Sequence, residues 1–189
     1  FASWTRAGTA LSDAGEIQLD PQHATAGTDP FGLGGYRGGT FYNGGSFLVG
    51  QATSPVIATP EGFSEAIASW NARTPAGTWI ETLIRARVDG RFTKLYNLGI
   101  WASDSSTVNR HSVRAQGDAD GFVAVGGGSS LMCDTTGATV TKDVVVATEI
   151  IQASQTLHTV TTRNSRLHHH FVADNAKLLA RIEEIEAVM

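Results

Sequence analysis

Cys133 carries the only thiol of the chain, within Leu131-Met132-Cys133-Asp134-Thr135-Thr136. A thiolate nucleophile needs a histidine to activate it and a third polar group to orient that histidine. His158, His168, His169 and His170 are the downstream candidates for such a base. The residues after Cys133 do not read as a helix, whose N-terminus would lower the thiol pKa. A lone cysteine is far more often a small buried hydrophobe, and that is the reading adopted. The triplet His168-His169-His170 is the metal candidate, since imidazole suits Zn²⁺ or Ni²⁺. Successive helical residues point about 100° apart, so three in a row cannot face one ion. One of them would need His158, or its own copy around a symmetry axis. The plainer reading is a polar junction or a tag remnant, so no metal or other cofactor is expected.

Two acidic patterns are weighed in the same way. Asp118-Ala119-Asp120-Gly121 resembles a fragment of a calcium loop but lacks the later bidentate Glu. A hairpin turn at Asp120-Gly121, between 111–116 and 122–125, explains it better. Glu81, Arg85 and Arg87 share one face of an alternating strand, which predicts a solvated sheet surface rather than an acid–base pair. The aromatic set is Trp4, Tyr36, Tyr42, Trp70, Trp79, Tyr96 and Trp101. Rings flanked by Asn, Asp and Arg side chains grip sugar faces, and binding residues concentrate on loops. Trp70 and Trp79 are expected inside, bracketing a polar corner at 71–77. Tyr36 and Tyr42, on a glycine-rich hairpin and expected to be exposed, are the candidate ligand-binding residues, with Asn43 and Arg73.

The elements that must position these residues are mostly strands. Glu16-Ile17-Gln18-Leu19-Asp20 alternates at period two. Asn43-Gly44 signals a hairpin with Phe41-Tyr42 and Phe47-Leu48-Val49 as arms. The run 78–88 is rich in β-branched residues, ends at Asp89-Gly90, and predicts a returning strand over 91–101. Gly126-Gly127-Gly128-Ser129-Ser130 reads as a flexible joint, and 138–151 as β-rich around Val144-Val145-Val146. The period then changes. Phe171, Asn175, Leu178, Ile182, Ile185 and Met189 fall at coiled-coil spacing, with Asp174 as N-cap. Fewer than three heptads make a helix marginal alone, so this one needs a partner.

Composition narrows the class. Hydrophobic residues make up 41% and charged residues 17%, which excludes a disordered tail, and the net charge of −4 leaves no basic footprint for nucleic acid. The abundance of Gly, with 21 residues, favours many turns and an all-β class. A single cysteine forms no intrachain disulfide. No apolar run of about 18 residues is present to span a membrane as a helix. A start at Phe1 rather than Met points to an upstream piece removed or left out, which a cleaved signal peptide or a trimmed chain would equally explain.

The stretch from Phe63 to Trp79, with Ser69-Trp70-Asn71-Ala72-Arg73-Thr74-Pro75-Ala76-Gly77-Thr78-Trp79 at its centre, resembles a β-sandwich domain that precedes papain-like peptidase domains in exported bacterial proteins of the C39-like peptidase family. Arg91-Phe92-Thr93-Lys94-Leu95-Tyr96-Asn97-Leu98-Gly99-Ile100-Trp101 is similar to that family's following strand, with Phe92 and Leu95 where Trp is usual. Arg110-His111-Ser112-Val113, then Gln116 and Asp118, match a third block. The resemblance covers about residues 1–125, and its peptidase domain is not evident. Cys133 is only faintly like the family's Cys-x-Pro-Thr-Ser nucleophile motif, because the proline is missing.

The sequence therefore predicts an antiparallel, jelly-roll-like β-sandwich over 1–125, a Gly/Ser joint at 126–130, a β-rich extension over 131–170 and a helix over 171–189. The expected role is a non-catalytic binding or attachment module, exported to the cell surface or beyond and contacting glycan or cell wall. The alternative is a self-assembling structural subunit of a fibre, surface filament or phage virion, oligomerising through Phe171, Asn175, Leu178, Ile182, Ile185 and Met189. The partners expected are copies of itself and a polysaccharide or wall surface, not nucleic acid.

Overall fold

A computed structural model describes residues 1–59, 62–88, 90–125, 129–133, 140–153 and 161–163, and among these every regular element is a strand. In chain order they are β1 (Thr5–Ala7), β2 (Thr9–Leu11), β3 (Ile17–Leu19), β4 (Thr25–Thr28), β5 (Ser46–Thr53), β6 (Ile57–Ala58), β7 (Glu65–Ile67) and β8 (Asn71–Arg73). There follow β9 (Thr78–Val88), β10 (Arg91–Phe92), β11 (Tyr96–Trp101), β12 (Gly121–Val125), β13 (Ser129–Cys133), β14 (Val140–Ala153) and β15 (Thr161–Arg163). The described residues are all-β, and every strand pairing among them is antiparallel.

The main sheet has eight strands, ordered β1-β5-β14-β9-β10, with β4 also on β5, β6 on β14 and β11 on β9. Two smaller sheets, β12-β13-β7 and β2-β3-β15-β8, complete the structure. Strand β9 explains how the layers meet. Its even residues Ile80, Ile84, Ala86 and Val88 are buried along its whole length, as one core-facing side of a period-two strand must be. Ile84 and Ala86 pack with Phe63, Ala66, Leu131 and Cys133 of the β7–β13 region. Ile80 packs with Ile17 and Leu19 of β3 and Ala52 of β5. Both smaller sheets therefore cover the same face of β9. Each large apolar side chain placed there contributes about 1.5–3 kcal/mol.

The odd face of β9 is buried only at its first half. Trp79 and Glu81 lie under Phe41, Phe47, Ile100, Ala102 and Val108. Beyond them Arg85 and Arg87 are half-buried, and their guanidinium carbons flank the Phe92 ring at 4.5 and 4.7 Å. The expected solvated surface is thus corrected for Glu81, whose carboxylate accepts hydrogen bonds from the Tyr42 hydroxyl, at 2.9 Å, and from the Asn97 amide. Glu81 is buried because the connection at 29–45 folds over it.

That connection replaces the hairpin expected at Asn43-Gly44. The partner of β5 is β4, with Thr28 opposite Ser46, and Phe41-Tyr42 belongs to no strand. The organising group is the Asp29 carboxylate, which accepts from the backbone N–H groups of Phe31, Gly32, Tyr42 and Gly44 at 2.7–3.2 Å. Burial pushes this carboxyl up, but the four donors outweigh it and hold it below the ordinary carboxylate value of 3.8.

The reversal expected after residue 88 forms, with Gly90 at φ +78° and Arg91 opposite Val88, while Asp89 of the expected turn lies outside the described residues. Its return strand is split into β10 and β11. The turn at 118–121 also forms, closed by the Asp118 N–H on the Gly121 carbonyl. Its expected hairpin partner is corrected: β12 pairs with β13, not with 111–116. Of the expected joint at 126–130, Ser129 and Ser130 are part of β13, with Ser129 opposite Val125, and 126–128 lie outside the described residues. Of the extension expected over 131–170, the described parts are strands of the sheets. β13 pairs with β7, and β14 is the central strand, lying between β5 and β9. The apolar run Val144-Val145-Val146 suits such a central position. The helix expected over 171–189, with its seam residues Phe171, Asn175, Leu178, Ile182, Ile185 and Met189, lies outside the described residues.

Candidate functional site

Among the described residues an open cleft of about 260 Å³ is lined by Trp70, Trp101, Arg110, His111, Ser112 and Ser129 over the backbone of β11 at Leu98, Gly99 and Ile100. Trp70 precedes β8 and Trp101 ends β11. Both indoles are half-buried, packing partly against the Ile17–Ile80 cluster. The two segments that carry them are clamped together. The Ser103 N–H donates to Thr74 Oγ1 at 2.6 Å, the Ser103 hydroxyl donates to the Thr74 carbonyl at 2.6 Å, and the Thr74 N–H donates to Ser103 Oγ at 3.2 Å. Thr74 is fully buried, so these bonds stand in place of water. The polar residue that ties the corner at 71–77 is thus Thr74.

The opposite wall is the segment 110–116, laid along the outer edge of β11. Ile100 and His111 exchange backbone hydrogen bonds of 3.0 and 3.2 Å. Gly99 permits this approach, because a Cβ there would come within 3.0 Å of the His111 carbonyl and the backbone stands at φ +135°. Gln116 acts as a surrogate strand. Its Oε1 accepts from the Asn97 N–H at 2.7 Å, and its Nε2 donates to the Asn97 and Val113 carbonyls at 2.8 and 2.9 Å. The Asn97 side chain caps the Gly99 N–H at 2.8 Å. Side chains thereby satisfy an edge that would otherwise invite another strand.

The chemistry of the cleft follows from its polar groups. Ser112 and Ser129 share a hydroxyl–hydroxyl hydrogen bond of 2.8 Å. His111 Nδ1 lies 3.0 Å from the Asn109 carbonyl, which only accepts, so Nδ1 carries the hydrogen. The imidazole rests against the Tyr36 and Phe41 rings, with centroids 5.4 and 5.5 Å away. Arg110 is exposed and has no hydrogen-bond or ion-pair partner among the described residues. Two indoles, a free guanidinium and a pair of hydroxyls form an amphipathic surface suited to binding.

The residues singled out in the sequence are placed differently from expectation. Tyr36 is half-buried and packs edge-on against Phe41, its hydroxyl accepting from the Arg114 N–H at 3.4 Å. Tyr42 stacks on Trp79 at 5.6 Å and is tied to Glu81. The expectation that these two tyrosines are exposed is corrected, because the Asp29 cage folds them onto the Trp79 cluster. Asn43 forms a turn, donating to the Ser46 carbonyl at 3.1 Å and accepting from the Gly45 N–H at 3.0 Å. Arg73 is exposed on β8, in the sheet on the opposite side of β9 from the tyrosines, so the four are not brought together. Trp79 is inside as expected, whereas Trp70 lines the cleft. Arg110, Ser112 and Ser129 were not foreseen as site residues, although the block Arg110-His111-Ser112-Val113 is one of the motifs quoted above.

Cys133 is 6% exposed in the β7–β13 cluster, and burial, assisted by the charge of Asp120, pushes its thiol up to about 11. His158, His168, His169 and His170 lie outside the described residues. Asp118 caps its own turn, accepting from the Asp120 and Gly121 N–H groups, and binds the Tyr96 hydroxyl and the Lys94 ammonium. Burial works against its ionisation, yet these donors hold it down at about 2. Arg91 makes a two-pronged pair with Asp120 at 2.5 and 2.7 Å. These acids are satisfied within the turn, and among the described residues no group of three His, Cys, Asp or Glu is placed to hold a metal ion. No helix among them is long and apolar enough to cross a membrane.

No curated protein and no solved structure matches the chain. Residues 1–165 match the family described as Peptidase C39 N-terminal domain. The match runs past residue 125, where the motif resemblance ends, and takes in β13, β14 and β15, in keeping with their place inside the sheets. With 165 of its 189 residues covered, the chain belongs to the Peptidase C39 N-terminal domain family.

Proposed function

We propose that this domain is a non-catalytic binding module, of β-sandwich type, in an exported bacterial protein, and that it holds glycan or cell-wall material in the cleft between Trp70 and Trp101. The carrying observation is the cleft itself, where two half-buried indoles, a partner-free Arg110 and the Ser112–Ser129 hydroxyl pair converge. The residues come from all three sequence blocks quoted above, with Ser129 added from β13. Small-ligand sites combine apolar or aromatic walls with a few convergent polar groups, and this cleft has that make-up. Its modest volume suits one or two sugar rings of a longer chain. The burial of Cys133 and its raised pKa support a role without a thiol nucleophile.

The test is co-sedimentation of the full chain with insoluble peptidoglycan, and with cellulose as a second matrix. Trp70→Ala and Trp101→Ala should each weaken binding by tenfold or more, about 1–3 kcal/mol per aromatic contact. Tyr36→Phe, which keeps the ring, should bind like the parent. If both tryptophan variants sediment as the parent does, the cleft is not the binding surface.

A further inference from the structure

We infer that the cleft selects ligands bearing a carboxylate, so that its glycan is acidic rather than neutral. This inference rests on the binding reading just given and goes beyond it in naming the chemical class. Arg110 is the one permanently charged side chain among the lining residues, and the lining contains no Asp or Glu, although the chain as a whole carries −4. Arg91 is engaged with Asp120 and Lys94 with Asp118, and the exposed Arg114 of the same wall is not among the lining residues. Arg110 is exposed and makes neither contact among the described residues.

A guanidinium beside an apolar wall recognises a planar oxyanion by two parallel N–H donors, a geometry that fits carboxylate. The indoles at Trp70 and Trp101 supply the flat apolar faces that a pyranose ring stacks on. The Ser112–Ser129 pair offers hydroxyls that both donate and accept, as ring hydroxyls require. An uncharged sugar would satisfy the indoles and the serines but leave the guanidinium with water. A uronate-like sugar, or one carrying a carboxylate on an ether arm, engages all three.

The inference is tested by calorimetry with two soluble probes, hexagalacturonate and its fully methyl-esterified counterpart, which share one sugar backbone and differ in charge. The acid should bind about tenfold tighter than the ester, as a charge-assisted contact provides, and the advantage should shrink as NaCl is raised. Arg110→Gln should lose that advantage, so that acid and ester bind alike. Arg110 is exposed, so the variant should retain the parent's melting temperature, which is checked first. Equal binding of acid and ester, with Trp101→Ala weakening both, would overturn the acidic preference and leave the glycan cleft standing. Binding of neither probe would overturn the acidic preference, and co-sedimentation with peptidoglycan and cellulose then decides the glycan reading separately. An acid preference that survives Arg110→Gln would assign the selectivity elsewhere and sink the inference.

Discussion

Gln116→Ala tests whether a side chain does the work of a strand at the edge of β11. The Gln116 amide makes three hydrogen bonds, accepting from the Asn97 N–H and donating to the Asn97 and Val113 carbonyls, at 2.7–2.9 Å. Asn97 is buried, at 9% exposure, so water does not readily replace these partners. At about 0.5–1.5 kcal/mol net for each bond, the three sum to about 1.5–4.5 kcal/mol. Because Gln116 itself is half-buried, the lower part of that range, about 2–3 kcal/mol, is expected. For a domain of this size that corresponds to a fall in melting temperature of about 4–12 °C, read by circular dichroism. Gln22→Ala, at an exposed position, serves as the control and should stay within about 0.5 kcal/mol of the parent. Gln116→Glu sharpens the test, because a carboxylate keeps the acceptor for the Asn97 N–H but sets an oxygen against two carbonyls. It should be no more stable than Gln116→Ala at pH 7. Since 110–116 forms one wall of the cleft, both variants should also lose ligand affinity. A Gln116→Ala protein that melts within a degree of the parent would refute the surrogate-strand reasoning.

Two further predictions concern groups that the fold has committed. The folded carboxyl of Asp118, at about 2, lies below its ordinary value of 3.8, so its contribution is present above pH 3.8 and is lost as pH falls from there toward 2. Asp118→Asn should therefore be less stable than the parent at pH 7, with the gap in urea midpoint closing across that window; parallel curves down to pH 2 would contradict the capping role. Cys133, with its thiol raised from 9.0 to about 11, should react with a disulfide reagent at pH 8 far more slowly when folded than in denaturant. Native labelling at the denatured rate would show the thiol to be accessible.

Local chemistry was legible where it was self-contained. The run 78–88 carries its own β-branched pattern and turn, and it became the strand that every layer packs against. The reversal after Val88 needs only local residues, Gly90 at positive φ among them. What misled was chemistry settled by distant partners. Asn43-Gly44 reads as a tight hairpin, but the Asp29 carboxylate, far back in the chain, gathers four N–H groups and turns the segment into a broad cover. The same event takes Tyr42 from an expected exposed ring to a stacked one, and it buries Glu81. Gly126-Gly127-Gly128 reads as a joint because glycine content alone says nothing of how the strands on either side of it in the sequence, β12 and β13, pair. The run Val144-Val145-Val146 announced a strand but not its insertion between β5 and β9, a long-range pairing that no local pattern encodes. The cleft was half legible: Trp70, Trp101 and the Arg110–Val113 block were visible as residues and motifs, but their convergence depends on the Thr74–Ser103 clamp and on Gln116.

The most direct test of the cleft as the binding surface is nuclear magnetic resonance of the four tryptophan indole N–H groups, during titration with soluble peptidoglycan fragments. The cleft reading predicts that the Trp70 and Trp101 signals shift in a saturable manner, while that of Trp79, fully buried under Phe47 and Tyr42, stays in place. Saturable binding with the Trp70 and Trp101 signals unmoved would contradict it.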